Sequence, residues 1–162
     1  MENNKKEAAR KKSLGELGEL FAIKALVDQE FNKVRNLNDQ TYNEAFADLF
    51  CEKDDKKYII SVKARNKYQK NGTLNSRYKL GNKVYEMAET SKIKYDNAEP
   101  CWLAVQFDST TFSVYFGKLS ELNGKKAIPV DKCERNEIGE VWVKNKRHYF
   151  DFDFYTNKWD AP

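Results

Sequence analysis

The stretch Ala45–Lys63, AFADLFCEKDDKKYIISVK, decides how the rest of the chain is read. Two runs rich in apolar and aromatic residues flank Asp54-Asp55, and an Asp-containing turn between such runs signals a hairpin. With those two residues alone as the loop, Lys53 faces Lys56, Phe50 faces Ile59 and Asp48 faces Ser61. Side chains two apart on a strand share a face. Phe46, Asp48, Phe50, Ile59, Ser61 and Lys63 are thus expected on one face. Ala47, Leu49, Cys51, Tyr58, Ile60 and Val62 are expected on the other. A carboxylate and an amine then meet on an otherwise apolar surface, far from the turn. Charges are rare there unless they are paired or bind a metal.

Upstream, Ser13 and Glu16 have the spacing of a capping box, which predicts a helix from Ser13 to about Glu30. Residues 1–12 read as a flexible basic extension. Leu14, Leu17, Phe21 and Ala25 form one stripe, widened by Leu20, Ile23, Leu26 and Val27, so the helix is expected to be substantially buried. Glu16 is explained as the cap partner. Glu19 has no role so obvious, beyond a salt bridge or a surface carboxylate. A short strand over 31–36 and a polar loop over 38–43 lead into the hairpin.

Downstream, residues 64–80 lack a clean period and read as a long basic, mobile segment. A helix is predicted over 82–97, ended by Pro100. CWLAVQF, residues 101–107, is a near-continuous apolar run, the mark of a strand covered on both faces. Residues 111–117 pair with it as a hairpin, and residues 118–136 read as irregular. A last hairpin spans 139–143 and 147–155, with Phe150, Phe152 and Phe154 inward and Asp151 and Asp153 outward.

Composition narrows the chemistry. A chain of 162 residues with 14 % aromatic content fits one domain with a real core. The expected division is a single domain over 13–162, with a core over 13–107 and an elaboration over 108–162. The net charge is only +4, yet residues 63–94 hold nine Lys/Arg against two acids, among tyrosines. Such a local field suits a polyanion as well as a plain solvated surface. Cys51, Cys101 and Cys133 are isolated, which argues against a disulfide framework and for a reducing, cytoplasmic setting. No signal peptide or membrane-length apolar run is seen, so no membrane role is expected. The only histidine is His148, which disfavours His-rich zinc sites and triad hydrolases.

Three separate elements thus offer Glu19, Asp48 and Lys63. The segments GELGELFAIKAL, FADLF and IISVKA, in this order, resemble the PD-(D/E)XK nuclease superfamily, which includes restriction endonucleases and Holliday-junction resolvases. The resemblance implies an α/β (α+β) fold with a restriction endonuclease-like core. Its order is helix, three strands, helix, strand, with a central mixed sheet flanked by helices, to which C-terminal β-hairpins are added. It implies a metal-dependent endonuclease acting on DNA with magnesium or manganese. Asp48 would be the central metal ligand, Glu19 a supporting carboxylate, Lys63 the catalytic lysine and the Val62 carbonyl a further ligand. Arg65, Lys67, Lys70, Arg77, Lys79 and Lys83 would face nucleic acid, and cleavage of both strands would favour a homodimer. One departure matters: Ser61 stands where the family's triplet begins with an acid. Either Glu19 and Asp48 suffice, with Ser61 a weak ligand, or Glu44 or Glu16 supplies the missing carboxylate. Otherwise the protein binds nucleic acid or a protein partner without cutting. A plain cross-strand ion pair between Asp48 and Lys63 is the structural alternative.

Overall fold

In the computed structural model, described for residues 2–39, 45–75, 77–108, 111–129, 134–135, 148–153 and 158–160, two helices cover a mixed sheet. The elements in order are α1 (Glu2–Asp28), β1 (Asn32–Asn36), β2 (Leu49–Lys53), β3 (Lys56–Asn66), β4 (Arg77–Lys79), α2 (Val84–Lys94), β5 (Glu99–Phe107) and β6 (Thr111–Lys118). Short strands β7 (Ala127–Pro129), β8 (Glu134–Arg135), β9 (His148–Asp153) and β10 (Lys158–Asp160) follow. The main sheet runs β1-β2-β3-β5-β6-β9-β10, with β8 beside β9. A two-stranded ribbon, β4-β7, lies apart from it. This is the mixed α/β class that the sequence predicts, with the order helix, three strands, helix, strand at its centre.

The hairpin register is as expected. Lys53 pairs with Lys56 and Phe50 with Ile59. Asp54 and Asp55 take φ of 51° and 63°, the left-handed pair that a two-residue turn needs to match strand twist. The ladder stops at Leu49–Ile60, however, so Asp48 stands just before β2 rather than facing Ser61 in it. The expected alternation fails there too, for Phe46 and Ala47 join the same core.

That core lies on the α2 side and contains Phe50, Ile59, Val84, Ala88, Trp102 and Ala104. The other, on the α1 side, holds Ala22, Ala25, Leu26, Leu49, Ile60, Leu103 and Val105. Alternate residues of β5 thus enter opposite cores, as a strand buried on both faces must. β3 and β5 are parallel, joined through α2 across one face. β5–β6 is the predicted antiparallel hairpin.

Four further expectations are corrected. First, α1 begins at Glu2, not Ser13. Glu, Lys, Ala and Arg dominate residues 2–12, all good helix formers, and pairs such as Glu7–Arg10 (2.6 Å) support the first turns. The capping box is overridden, and residues 2–12 belong to the helix. Second, α1 is buried through Gly18, Ala22, Ala25 and Leu26, while Leu17, Leu20 and Val27 are exposed. Small residues let the helix settle close: a Cβ at Gly18 would stand 2.4 Å from that of Ala64. Third, residues 64–80 are partly ordered into strands. β3 continues to Asn66, Tyr68 bridges Leu74, and β4 pairs with β7. The irregular reading of 118–136 likewise gives way to β7, β8 and a 3-10 turn over Leu119–Leu122. The strand predicted over 139–143, and the facing of the Phe and Asp side chains over 150–154, lie outside the described residues.

Candidate active site

The site forms where β2 ends and β3 goes on. The Asp48 N–H donates to the Ile60 carbonyl at 2.8 Å, and its carbonyl accepts the Leu37 N–H at 2.9 Å. Asp48 is therefore pinned at both sides by backbone, with its carboxylate beyond the ladder. There Oδ2 accepts the Val62 N–H at 2.8 Å. That bond satisfies a strand donor that β2 no longer reaches. A strand residue directs its N–H and carbonyl to the same edge, so the Val62 carbonyl emerges beside Asp48.

Glu19 reaches the same place from α1. The Asn38 side-chain amide donates to Glu19 Oε1 at 3.0 Å and to Asp48 Oδ1 at 3.3 Å. Asn36 donates to Glu19 Oε2 at 3.1 Å. The Asn36 Oδ1 also accepts the Asn38 N–H at 2.9 Å, an Asx turn that fixes the amide donors relative to each other. The two carboxylates thus converge on one amide nitrogen. Sequence reasoning ended a strand at Asn36, assigned Asn38 to a polar loop with turn chemistry, and gave neither a role at the site. The signal lies in Asn36 and Asn38, at alternate positions where the first strand gives way to the loop.

Lys63 enters differently. Alternation along β3 puts it on the side of Ile59 and Ser61, facing the α2 core, whereas Glu19 comes from the α1 side. Its ammonium makes no hydrogen bond or ion pair among the described residues, so the plain Asp48–Lys63 ion pair is absent. Its charge nonetheless acts on Asp48. Asp48, at the uncovered edge of β3, lies between the two faces.

Burial raises the Asp48 carboxyl above its ordinary value, against the Val62 N–H, the Asn38 amide and the Lys63 charge. Burial raises Glu19 as well, opposed by the two asparagines and reinforced by the charges of Asp48 and Glu16. Glu16 itself is exposed, one turn from Glu19. Glu44 lies outside the described residues. Ser61 is buried, paired across the ladder with Trp102.

These donors suit a hard divalent cation. Neutral amides hold the oxygens, and both acids bear a desolvation cost that a cation relieves. Magnesium is commonly bound by one or two carboxylates, with waters and substrate phosphate completing its octahedron. Glu19, Asp48 and the Val62 carbonyl fit that pattern. Among the described residues no group of three His, Cys, Asp or Glu side chains gathers. Ser61 adds no negative charge to the site.

The basic residues divide. Lys67 lies 3.8 Å from Asp108, and Lys70 lies 4.0 Å from Glu7. Arg65 donates to the Ala64 carbonyl at 2.8 Å. Arg77 and Lys79 line a cleft with Lys125 and Lys126, which the sequence reading did not include. Lys83 immediately precedes α2. No helix among the described residues is long and apolar enough to cross a membrane.

No family model matches the sequence, and no curated protein matches it. The fold is similar to the solved structure of Hjc, a Holliday junction resolvase from the archaeal hyperthermophile Archaeoglobus fulgidus. The identity is 17 %, the match covers 88 % of this chain and 86 % of that chain, and the TM-score is 0.45. A likeness this distant carries no weight for function.

Proposed function

We propose that this protein is a metal-dependent endonuclease that hydrolyses phosphodiester bonds in DNA. The observation behind the reading is the convergence of Glu19 and Asp48 on the Asn38 amide, within the field of Lys63. Asp48 and Glu19 would hold magnesium or manganese, assisted by the Val62 carbonyl. When bound, such an ion supplies Lewis-acid polarisation of a phosphoryl group and lowers the pKa of water.

The chain's own groups have separable tasks. The Val62 N–H fixes the orientation of Asp48 and leaves Oδ1 toward Glu19. Asn36 and Asn38 hold Glu19 in the same way. Lys63 offers an unpaired positive charge that stabilises negative charge developing on phosphate. Because the ammonium forms no ion pair among the described residues, no such contact has to break for it to act.

Supercoiled plasmid, four-way junctions and flaps incubated with magnesium or manganese test the proposal. EDTA-sensitive cleavage that Lys63→Ala abolishes is expected. Failure to cut any of these, with either ion, rejects it.

Ser61 favours one second reading, a nuclease-fold protein that binds nucleic acid without cutting it. Binding would then fall with salt, ignore magnesium and survive Asp48→Asn. The single-domain organisation and a homodimer belong to the proposal too. Sedimentation of the protein with and without DNA checks the latter.

A further inference from the structure

We propose that the cleft between the β4–β7 ribbon and the segment leading into α2 is a binding site for the sugar-phosphate backbone of a nucleic acid, a reading that rests on the function proposed above. The cleft encloses about 570 Å³ and is lined by Arg77, Lys79, Lys125 and Lys126, with Gly81, Asn82 and Ala127 between them. Among the described residues no acid lines it. Its four cations equal the net charge of the entire chain, +4. None of the four forms an ion pair or a side-chain hydrogen bond among the described residues.

Two other clefts show the contrast. The one beside the hairpin turn is lined by Lys56, Lys57 and Lys118 but also by Asp55, Asp96 and Glu99. The one under Tyr95 mixes Lys33, Arg35, Lys57 and Lys94 with Glu52 and Asp96. The first is balanced in charge and the second holds two acids against four cations, so both mix signs where the basic cleft does not.

Backbone bonds hold the basic cleft in shape. Arg77 pairs with Pro129 and Lys79 with Ala127 across the ribbon. The Leu80 N–H donates to the Lys126 carbonyl at 2.9 Å, and the Tyr85 hydroxyl donates to the Lys125 carbonyl at 2.6 Å. Buried Tyr78 and Ile128 anchor the ribbon in the α2-side core. The four side chains remain exposed. Exposed cations on a fixed scaffold suit successive phosphates of a polymer, which are contacted at the surface, better than a small anion, which is enclosed.

The test is binding of a fluorescent DNA duplex to the full chain in EDTA, across a salt series, for the natural protein and for Lys125→Gln/Lys126→Gln. The paired variant should bind about tenfold more weakly and reduce the slope of log K against log salt by about two, one for each lost phosphate contact. The ion-paired Lys33→Gln/Lys57→Gln should match the natural protein. Unchanged affinity and slope in the cleft variant would overturn the proposal. So would inorganic phosphate or a mononucleotide displacing the duplex at low millimolar concentration, which would mark a small-anion site. Cleavage is read separately. A protein that binds through the cleft but never cuts refutes the endonuclease reading alone, and one that cuts while the cleft variant binds normally refutes the cleft alone.

Discussion

The two ends of the β2–β3 hairpin treat charge in opposite ways. At the turn end acids meet amines: Lys57 bonds Asp96, and Lys33 lies 3.0 Å from Glu52. Those contacts pull the Asp96 carboxyl down and push the Lys57 ammonium up. At the open end Glu19 and Asp48 meet amides and a backbone N–H instead, and both carboxyls are raised. Ion pairs at an exposed edge serve ordinary surface chemistry and are worth little. Acids kept half-buried without an ion pair among the described residues are costly, and such groups gather at functional sites. The contrast distinguishes a decorated turn from a candidate active site on the same pair of strands.

The sharpest way to break this contrast is to exchange its amines. Lys63→Ala should reduce cleavage by about a thousandfold, the scale of losing one preorganised stabilising group, and leave DNA binding nearly intact. Lys57→Ala should leave cleavage within about twofold of the natural rate. Single-turnover assays on plasmid compare them directly, and equal effects would erase the distinction.

Next in size is the missing acid. Ser61→Asp would place a third carboxylate on the buried, α2-facing side of β3, the side that Lys63 shares. It should tighten magnesium binding about tenfold, read by calorimetry, and destabilise the metal-free protein. Unchanged metal affinity would mean that residue 61 does not reach the cation.

Asp48→Asn should act in the opposite sense on stability. An asparagine retains an acceptor for the Val62 N–H and removes a desolvated charge. Urea unfolding without metal should show a gain on the order of 1 kcal/mol, together with loss of any stabilisation by magnesium. Asp96→Asn at the turn should produce a small loss instead.

The smallest effect is pH dependence. For Glu19 and Asp48 the folded values lie above the unfolded ones, so the folded protein holds more protons in the interval between them. Their cost is fully present above the folded values and disappears as pH falls through that interval toward the ordinary 3.8 and 4.5. Metal-free protein should therefore gain from these groups on mild acidification, before paired acids such as Asp96 begin to protonate. Saturating magnesium should reverse the trend, because the ion binds the ionised forms. Melting curves across mildly acidic pH, with and without the ion, check the sign.

Much of the hairpin was legible because a two-residue turn sets register, and register decides which side chain meets which. Glu19 could be singled out because it lacked a structural explanation in its helix. The face of α1 was misread for the same reason that made it look simple. Large apolar residues attract attention, yet Gly18, Ala22 and Ala25 determine how close a helix can lie. Asn38 was hidden because loop asparagines ordinarily bond their own backbone, and Asn36 because the last residue of a short strand carries no signal of its own. Arg77 and Lys79 were named from the sequence, but their meeting with Lys125 and Lys126 was out of reach, for β4 owes its strand form to β7, far along the chain, and no local pattern announces such pairing.

The contact of Gly18 with Ala64 also acts as a gauge. Glu19 follows one partner in the chain, and Lys63 precedes the other. Their separation across the edge of β3 is therefore referred to a single point at which helix and strand nearly touch. Even one added methyl group would lift α1 and widen the interval between acid and amine without altering either. Precision in this molecule thus rests on a side chain consisting of one hydrogen atom.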